Sequence, residues 1–533
     1  GNKYKKFDDV QLKMLVCWNG GFNTADDQYN NEVAAAIRDK IGVTVEFEGI
    51  MMSEDEKLNM MFASGDMPDM INAPYWGGSS GSTGIIKKAG AEGRLIDIKD
   101  MLPNYPNISD AWDVGVISQK YLENDIDDPS FNGARYVLPT EVAGDVEDIA
   151  MWNYGVFVRG DVPEALGIDP TSIKTTEELL DFMQKAKDYG FKDVNGNDCI
   201  VATTFHNGWS YDNYLQSYNE KKLTGYSLDA DGNVTYDKLS ENYVNKNLVV
   251  WKMVHDGLLD KECFTTTDDA AKEKVGNGTA LFTCAQYGVT IDATKQSGLY
   301  DSNPEMRYTW VGPLNYSDGS AQVQVESEGR SGSPAIIFPT TCTNIDAAMT
   351  WLDYVNSKEG TKLICYGFEG DTYELNADGQ PRMTAELAER YATDSDSVTK
   401  ELRQRGIGYM AGRSYVAKKN AKGFGESAPF EADAENEYIT AYKKVHPVEI
   451  LKGYAIDAMA PGYENYSDFS EWAFDDVKEK EYIERAFFAD TEEEARQIIL
   501  DYQEYLKTNN GGEMEKFLDY MTEQSKTRDD FAY

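Results

Sequence analysis

The first part of the chain alternates between two spacings of hydrophobic residues. Gln11–Cys17 has the compact apolar pattern of a strand, Tyr29–Lys40 carries apolar residues at helical spacing, and Val43–Phe47 is again strand-like. A second helix is predicted over Glu54–Ala63 and a third strand over Asp69–Ile71. Because strands that alternate with helices are typical of parallel sheets, this βαβαβ order predicts an α/β unit.

Two capping boxes mark helices further along the chain. Thr175 precedes Glu178, and Thr491 precedes Glu494, and each pair is followed by apolar residues at helical spacing. Such stripes are typical of helices that face a core, so we do not interpret them as cofactor sites. Trp251 lies on a comparable stripe and is predicted to be a core residue.

The composition is that of a folded protein with a strong acidic excess. The 533 residues include 51 Lys and Arg against 92 Asp and Glu, which gives a net charge of −41. Such a chain repels phosphate backbones, so nucleic acid is excluded as a partner. No apolar run is long enough to cross a membrane. The 34 tyrosines and 9 tryptophans suit the binding of polar ligands that have apolar faces.

Cysteine and histidine are too few and too scattered for a disulfide or zinc framework. The six cysteines form no CxxC pair and are predicted to be mostly buried thiols, and the three histidines complete no zinc site. The first residues, Gly1–Lys6, contain no apolar signal core. Either the protein is cytosolic, or a targeting segment precedes this sequence.

Several short segments follow one another in an order that is more specific than any of them alone. They are Trp18-Asn19 followed by Lys40–Glu46, then Ala63–Ile71, Phe131–Pro139, Phe157–Asp161, Val275–Phe282, Ile336–Gly360, and Tyr366–Gly370 followed by Tyr373. In this order they resemble the extracellular solute-binding proteins (family 1) of bacterial ABC importers for sugars and oligosaccharides. The last segment is similar to the long, lipoprotein-type branch of Gram-positive bacteria.

The resemblance implies an α/β, two-lobe fold of the periplasmic-binding-protein type (type II), with hinge strands, a central ligand cleft and extra C-terminal helices. We expect residues 1–149 and 311–358 to form the N-terminal lobe. Residues 150–310 and 359–533 would form the C-terminal lobe with its helical extension. Such lobes close around a ligand by bending at the hinge.

The resemblance also implies a function without catalysis. The protein would be a receptor that captures an oligosaccharide and delivers it to the transmembrane permease subunits of an ABC importer. It would be a monomer on the extracellular face of the membrane, with a precursor that carries a signal peptide and a lipid-modified cysteine. One acyl chain binds membranes only marginally, so more than one is expected. No cofactor would be required.

Ligand contacts are expected in the loops that follow strands, because α/β folds bind ligands at the carboxyl ends of strands. Trp18-Asn19 and Tyr75-Trp76 follow strands of the first lobe, and Trp209 and Tyr211 follow the first strand-like segment of the second. The further candidates in the matched part of the chain are Asp145, Tyr287, Trp310, Glu326 and Arg330, and Tyr463 and Trp472 in the C-terminal part could cap the cleft. The alternative is a packing role for each aromatic residue and a solvated turn for Asp145.

A structural calcium ion is a further hypothesis. Asp193, Asn195 and Asn197 resemble the family's calcium loop, in which oxygen ligands alternate along the chain. However, Asp198 stands where the loop has glycine, and the acidic pair that should follow is absent. The alternative is a plain hydrogen-bonded turn. The segment Asp229–Asn233 is similar but is predicted to be a hairpin.

Other functions remain open at this point. Gly77–Gly81 matches the GxSxG nucleophile elbow, although it lies in a serine-rich run where such a match arises easily by chance. A glycosidase needs two carboxylates that flank the scissile bond. In a sequence with 92 acidic residues, such a pair cannot be recognised. The alternatives are therefore a secreted carbohydrate-active enzyme, or a receptor for a peptide or another small solute. The acidic charge favours a neutral sugar over a uronic acid.

Overall fold

The chain divides into two α/β units, each formed by two stretches of sequence. Unit 1 consists of Gly1–Ile149 and Glu326–Glu437, and unit 2 of Ala150–Val325 and Tyr438–Tyr533. The computed structural model describes residues 3–18, 23–75, 82–109, 121–140, 154–206, 208–221, 224–286, 290, 293–294, 297–325, 334–377, 379, 381–411, 449–451 and 454–531. Within these ranges, no helix is both long and apolar enough to cross a membrane.

The regular elements are numbered in chain order over the described residues. The strands are β1 (Val10–Val16), β2 (Val43–Gly49), β3 (Met70–Ala73), β4 (Val137–Pro139), β5 (Tyr154–Arg159), β6 (Ile200–Ala202), β7 (Tyr226–Leu228), β8 (Val234–Tyr236), β9 (Ala280–Gln286), β10 (Tyr308–Val311), β11 (Val323–Val325), β12 (Ala335–Ile337), β13 (Tyr373–Leu375), β14 (Pro381–Met383) and β15 (Glu449–Leu451). The α-helices are α1 (Glu32–Ile41), α2 (Asp55–Ser64), α3 (Thr83–Ala91), α4 (Asp161–Leu166), α5 (Thr176–Tyr189), α6 (Glu241–His255), α7 (Asp268–Gly276), α8 (Leu299–Ser302), α9 (Ile345–Val355), α10 (Lys358–Tyr366), α11 (Ala385–Thr393), α12 (Ser395–Gln404), α13 (Tyr466–Ala473), α14 (Asp476–Phe487) and α15 (Glu492–Ser525).

A five-stranded sheet in the order β2-β1-β3-β12-β4 organises unit 1. β1 pairs parallel with β2 and β3, and β12 pairs antiparallel with β3 and β4. The βαβαβ start predicted from the sequence is confirmed. Successive residues point to opposite faces of a strand, so Leu12 and Met14 enter one hydrophobic core while Leu15 and Cys17 enter another.

Local signals determine where α1 begins and ends. Asn31 caps the first turn, because its Oδ1 accepts a hydrogen bond from the Ala34 amide at 2.8 Å. Gly42 ends the helix with φ of 71°, a conformation that favours glycine. A Cβ at Gly42 would also lie 1.8 Å from the carbonyl oxygen of Phe7, so no larger residue fits there.

Unit 2 has a four-stranded sheet in the order β10-β5-β9-β6. β5 pairs antiparallel with β9 and β10, and β6 pairs parallel with β9. The two predicted helix starts are confirmed, because the Thr175 and Thr491 hydroxyls accept from the Glu178 and Glu494 amides at 3.1 and 3.2 Å. Trp251 is also a core residue as predicted, only 9% exposed.

The C-terminal helices of unit 2 build a hydrophobic cluster with the β7–β8 hairpin. Phe469 of α13 and Phe517 of α15 lie with ring centroids 4.3 Å apart and ring planes tilted by 33°, and Tyr226 of β7 packs against Phe517. α15 is interrupted by non-helical backbone at Asn509–Gly512. The hairpin confirms the turn predicted around Asp231-Gly232-Asn233.

The division into units differs from the predicted lobes at two boundaries. Residues 311–325 belong to unit 2, since Val311 pairs with Val156 in its sheet and Leu314 packs in its core. Residues 359–437 belong to unit 1, since Ile364 and Cys365 of α10 pack in the core of that unit. In both places tertiary packing determines the assignment.

Candidate functional site

In unit 1 the candidate loops leave one edge of the sheet. β1, β3 and β4 end at this edge and β12 begins there, as the register Ala73–Ala335–Pro139 shows. The segments by which the chain leaves and re-enters unit 1 directly follow β4 and precede β12. Trp18 and Tyr75, which follow β1 and β3 in the sequence, therefore lie near this edge of the sheet.

Trp18 directly follows β1 at this edge and is held in a defined position. Its indole Nε1 donates a hydrogen bond to Oδ1 of Asn72 at 2.9 Å, and Asn72 is fully buried in β3. The Cys17 amide donates to the Asn72 carbonyl at 2.8 Å, which joins the two strand ends. The half-buried indole of Trp18 is thus fixed while part of its surface remains accessible.

Tyr75 is a core residue, which corrects its prediction as a ligand contact. Its side chain has no exposed surface, and its hydroxyl donates to the carbonyl of Asp125 at 2.5 Å. The hydroxyl of Tyr121 in turn donates to the Tyr75 carbonyl at 2.7 Å. Burial and the neighbouring Tyr121 raise the pKa of Tyr75 far above its usual range. The residue ties the loop after β3 to the segment 121–126.

Unit 2 has an equivalent edge. β6 and β9 end there and β5 begins there, since Tyr154 pairs with Gln286 and the Thr203 amide donates to the Phe282 carbonyl. The chain enters unit 2 just before β5. The loop after β6, which carries Trp209, therefore leaves the edge at which the chain enters this unit.

The backbone around Trp209 is tightly constrained, whereas its side chain is open. Gly208 has φ of 93°, and a Cβ there would lie 3.0 Å from the Cα of Phe264. The Ser210 hydroxyl accepts from the Phe205 amide at 2.7 Å and fixes the turn from inside. The Trp209 side chain is nevertheless 46% exposed. A large indole presented to solvent on a fixed backbone offers a flat amphipathic surface on which a ligand can stack.

Tyr211 lies two residues further on and packs inward. Its ring meets Phe264 and Phe487 edge-on, each with centroids 5.7 Å apart. Burial, followed by the charge of Asp212, raises the pKa of Tyr211 well above its usual range. Trp209 and Tyr211 together line a small pocket of about 30 Å³, whose opposite wall is α14. The sequence analysis did not identify Phe264, α14 or its residues as part of this site.

Two aromatic candidates further along unit 2 are core residues, which corrects their prediction as ligand contacts. Trp310 pairs with Phe157 across the sheet, is 5% exposed and lies 4.2 Å from the Phe157 ring. Tyr463 is also 5% exposed and packs against Phe517 in the C-terminal cluster. Trp472 is half-buried and packs against the same cluster.

The remaining candidates lie outside the described residues. They are Asn19, Trp76, Asp145, Tyr287, Glu326 and Arg330, together with the GxSxG segment Gly77–Gly81. These predictions stay predictions.

The proposed calcium loop is a hydrogen-bonded turn in this structure. Oδ1 of Asp193 accepts from the amides of Asn195 and Asn197 at 2.8 and 3.0 Å, and Oδ2 accepts from Thr279 at 3.0 Å. Although partial burial opposes the charge, these bonds lower the pKa of Asp193. Asp198 is 88% exposed and pairs with Lys192.

Both oxygens of Asp193 thus accept hydrogen bonds within the loop or from Thr279, which is the arrangement expected of a plain turn, and calcium binding stays a prediction. The hairpin turn at Asp229–Asn233 has the same arrangement, with Asp229 accepting from the amides of Asp231 and Asn233 at 2.9 Å. Among the described residues, no group of three or more His, Cys, Asp and Glu is placed to hold a metal ion.

No protein-family model matches this sequence, and no curated protein matches it. Solved structures match over nearly the whole chain. An HMO binding ABC-transporter associated solute-binding protein from Bifidobacterium longum infantis has a TM-score of 0.61 at 13% identity, with 96% of this chain and 99% of that chain covered. The N-glycan transport solute-binding protein NgtS from Streptococcus pneumoniae has a TM-score of 0.58 at 12% identity, covering 97% and 98%. The alginate-binding protein AlgQ2 has a TM-score of 0.56 at 18% identity, covering 98% of both chains.

The chain therefore has the two-lobe α/β fold of ABC-transporter solute-binding proteins. This confirms the predicted fold class. At these identities the likeness concerns the fold, and the choice of ligand depends on the residues of the site.

Proposed function

We propose that this protein is the substrate-binding receptor of an ABC importer for a neutral oligosaccharide. The observation that carries the proposal is Trp209, a half-exposed indole on a constrained loop at a strand-end edge of a solute-binding fold. Sugar rings have apolar C–H faces that stack on such indoles and hydroxyl groups that bind carboxylates and amides.

The strand-end loops of both units would supply ligand contacts. Trp18 is held by Asn72 at the edge of unit 1, and Trp209 is held by Gly208 and Ser210 at the edge of unit 2. The indole of Trp18 and the backbone of Trp209 are thus fixed before a ligand arrives, which limits the conformational entropy lost on binding. We include Asn19 and Trp76 in this proposal, because they directly follow Trp18 and Tyr75 in the sequence.

The charge of the chain supports a neutral ligand. A net charge of −41 creates a negative field that disfavours the approach of a uronate and leaves a neutral sugar unaffected. Solved structures with this fold are described as binding HMO, kestose and alginate, the last of which is a polymer of uronic acids, and these ligands are those of the proteins concerned. They support a saccharide as the ligand class of this chain.

The partners and location follow from the same proposal. The receptor would work on the extracellular face of the membrane, held by a lipid anchor, and pass its ligand to the permease subunits as a monomer. Membership of family 1, in its long lipoprotein-type branch, is part of this proposal. The segments from Trp18-Asn19 to Tyr373 support it.

A receptor and an enzyme are distinguished by one experiment. Because Trp209 is half exposed, a sugar that stacks on it should change the intrinsic fluorescence of the protein. We expect saturable titration with a neutral oligosaccharide and, by chromatography of the same mixture, no new product. Turnover would favour the carbohydrate-active enzyme. Saturation with a peptide but with no sugar would favour the alternative receptor.

A further inference from the structure

A second and much larger cleft lies within unit 2, away from the small pocket beside Trp209. Its volume is about 510 Å³, within the range of about 300–1,000 Å³ in which small-molecule sites fall. Its walls come from stretches that are far apart in sequence but all belong to unit 2. They include Asn219, Glu220, Lys221, Tyr226, Asn242 and Tyr316.

The cleft and Trp209 lie at opposite ends of one 3₁₀ helix. This helix, Trp209–Tyr218, begins after β6, which is one outer strand of the sheet of unit 2. Its other end is bound to the segment after β10, the opposite outer strand, since the Ser217 carbonyl accepts from the Ser317 amide at 3.0 Å. Three strand spacings of about 4.8 Å separate the outer strands by about 14 Å. The cleft is therefore a site of its own.

The floor of the cleft is apolar and fixed. Tyr226 of β7, Tyr316 and Ile456 line it and are all buried. Tyr226 and Ile456 pack in the C-terminal cluster, and the Tyr316 amide donates to the Ser320 carbonyl at 2.9 Å. Leu228, which is 38% exposed, extends the apolar wall. Such a surface can receive the C–H face of a sugar ring without rearranging on binding.

The charged groups of the cleft favour a neutral ligand. Lys221 Nζ and Asp318 Oδ2 lie 2.5 Å apart, so their two charges neutralise each other. Within the described part of the chain, Glu220 receives one long hydrogen bond, from the Ser240 hydroxyl to Oε1 at 3.4 Å. The charge that remains is therefore negative, which disfavours an anionic ligand and leaves a carboxylate oxygen to accept from a hydroxyl.

Two amides on the cleft add an open donor and an open acceptor. Asn242 Nδ2 donates to the Tyr218 carbonyl at 2.6 Å, which orients this amide. Oδ1 of Asn219 lies 3.5 Å from Nζ of Lys246, at the limit of a hydrogen bond. No described residue bonds to the Oδ1 of Asn242 or to the Nδ2 of Asn219. Such a mixture matches sugar hydroxyls, because a hydroxyl both donates and accepts.

We infer that this cleft is a saccharide subsite, in which one neutral sugar ring lies on the apolar floor and Asn219, Glu220 and Asn242 bind its hydroxyl groups. This inference rests on the proposed function and adds a contact region that is separate from Trp209. The carboxylate accepts a charge-assisted hydrogen bond from the ring and repels a uronate at the same place.

The test compares two cleft variants with two matched controls. The cleft variants are Glu220→Gln and Asn219→Ala, and the controls are Glu481→Gln and Asn233→Ala. Glu481 is 60% exposed and pairs with Lys478, Asn233 is exposed in the turn of the β7–β8 hairpin, and neither lines the cleft. Calorimetric titrations of the full chain use short gluco-, manno-, xylo- and fructo-oligosaccharides as neutral probes and oligogalacturonate as the acidic probe. Circular dichroism and thermal melting show whether each variant is folded.

We expect Glu220→Gln and Asn219→Ala each to raise the Kd of the best neutral probe roughly 3- to 10-fold, the loss of one hydrogen bond to a sugar hydroxyl, while both controls bind like the wild type. The ratio of uronate to neutral affinity should rise in Glu220→Gln, a change in selectivity that a general loss of structure does not produce. In the wild type, the neutral probe should slow hydrogen exchange of the amides in residues 217–228 and 316–318.

The outcomes separate this inference from the proposed function. If Trp209→Ala weakens a neutral probe while both cleft variants bind it like the wild type, the cleft subsite is refuted and the receptor stands. Equal losses in the cleft variants and their controls, or no slowing of exchange around the cleft, would also refute the subsite. If no neutral probe binds the wild type, both proposals fail.

Discussion

Replacing Trp209 with alanine should weaken sugar binding without unfolding the protein. A tryptophan or tyrosine buries about 150–250 Å² when fully covered. Since 46% of Trp209 is exposed, roughly 100 Å² is available to a ligand. A sugar ring on one face would cover about half of this area, which at about 25 cal/mol per Å² contributes about 1–1.4 kcal/mol. Trp209→Ala should therefore raise the Kd of the best neutral oligosaccharide roughly 5- to 10-fold.

The matched control is a tryptophan of the same unit that is buried. Trp251 is 9% exposed, stacks on His255 at 4.9 Å and donates from Nε1 to the carbonyl of Ala489 at 2.8 Å. Trp251→Ala should lower the free energy of unfolding by about 3–5 kcal/mol, whereas Trp209→Ala should lower it by less than about 1 kcal/mol.

Calorimetry measures the affinity, and urea denaturation measures the stability of both variants. The reasoning is refuted if Trp209→Ala binds the sugar like the wild type. It is refuted equally if Trp209→Ala destabilises the protein as much as Trp251→Ala does, because the indole would then be a structural residue.

Three further predictions concern the loop, a buried acid and the edge of unit 1. Because three protein donors already bind the two oxygens of Asp193, a chelator should leave the melting temperature and sugar affinity unchanged, and a large drop in melting temperature would support the calcium hypothesis. Burial raises the pKa of the Asp237 carboxyl to about 6 from its usual 3.8, with Ser227 donating a hydrogen bond to it and Glu220 nearby. The folded state therefore binds the proton of this carboxyl more tightly than the unfolded state does. As a result, the free energy of unfolding should fall as the pH rises from about 4 to 6. Asp237→Asn should remove this loss, worth up to about 3 kcal/mol at pH 7, and identical pH slopes in urea denaturation would contradict it. Trp18→Phe removes the hydrogen bond to Asn72 and should cost about 1 kcal/mol of unfolding free energy, so an unchanged urea midpoint would show that this bond contributes nothing.

Local signals explain why much of the fold was predictable. The spacing of hydrophobic residues alone predicts strand β1 and helix α1. The helix caps at Gly42 and Thr175 can be recognised from the residues adjacent to them. The boundaries of the units depend instead on long-range pairing. Val311 continues the pairing of β10 with β5, more than a hundred residues away, and no local pattern indicates this.

The site was harder to predict because exposure is decided by packing. Tyr75, Trp209 and Trp310 all follow or belong to strands and have similar sequence surroundings. Only the structure shows that the Tyr75 hydroxyl is bound to the distant Asp125, whereas Trp209 is open. The α14 wall of the pocket beside Trp209 could not be found from the sequence, since it lies more than two hundred residues further along the chain.

The central claim is that this protein binds a neutral oligosaccharide and releases it unchanged. Calorimetric titration of the full chain against neutral and uronate oligosaccharides, with chromatography of the sugar afterwards, tests it most directly. The account predicts saturable binding of at least one neutral oligosaccharide, weaker binding of every uronate, and recovery of intact sugar. Tighter binding of a uronate, cleavage of the sugar, or no binding of any neutral oligosaccharide would contradict it.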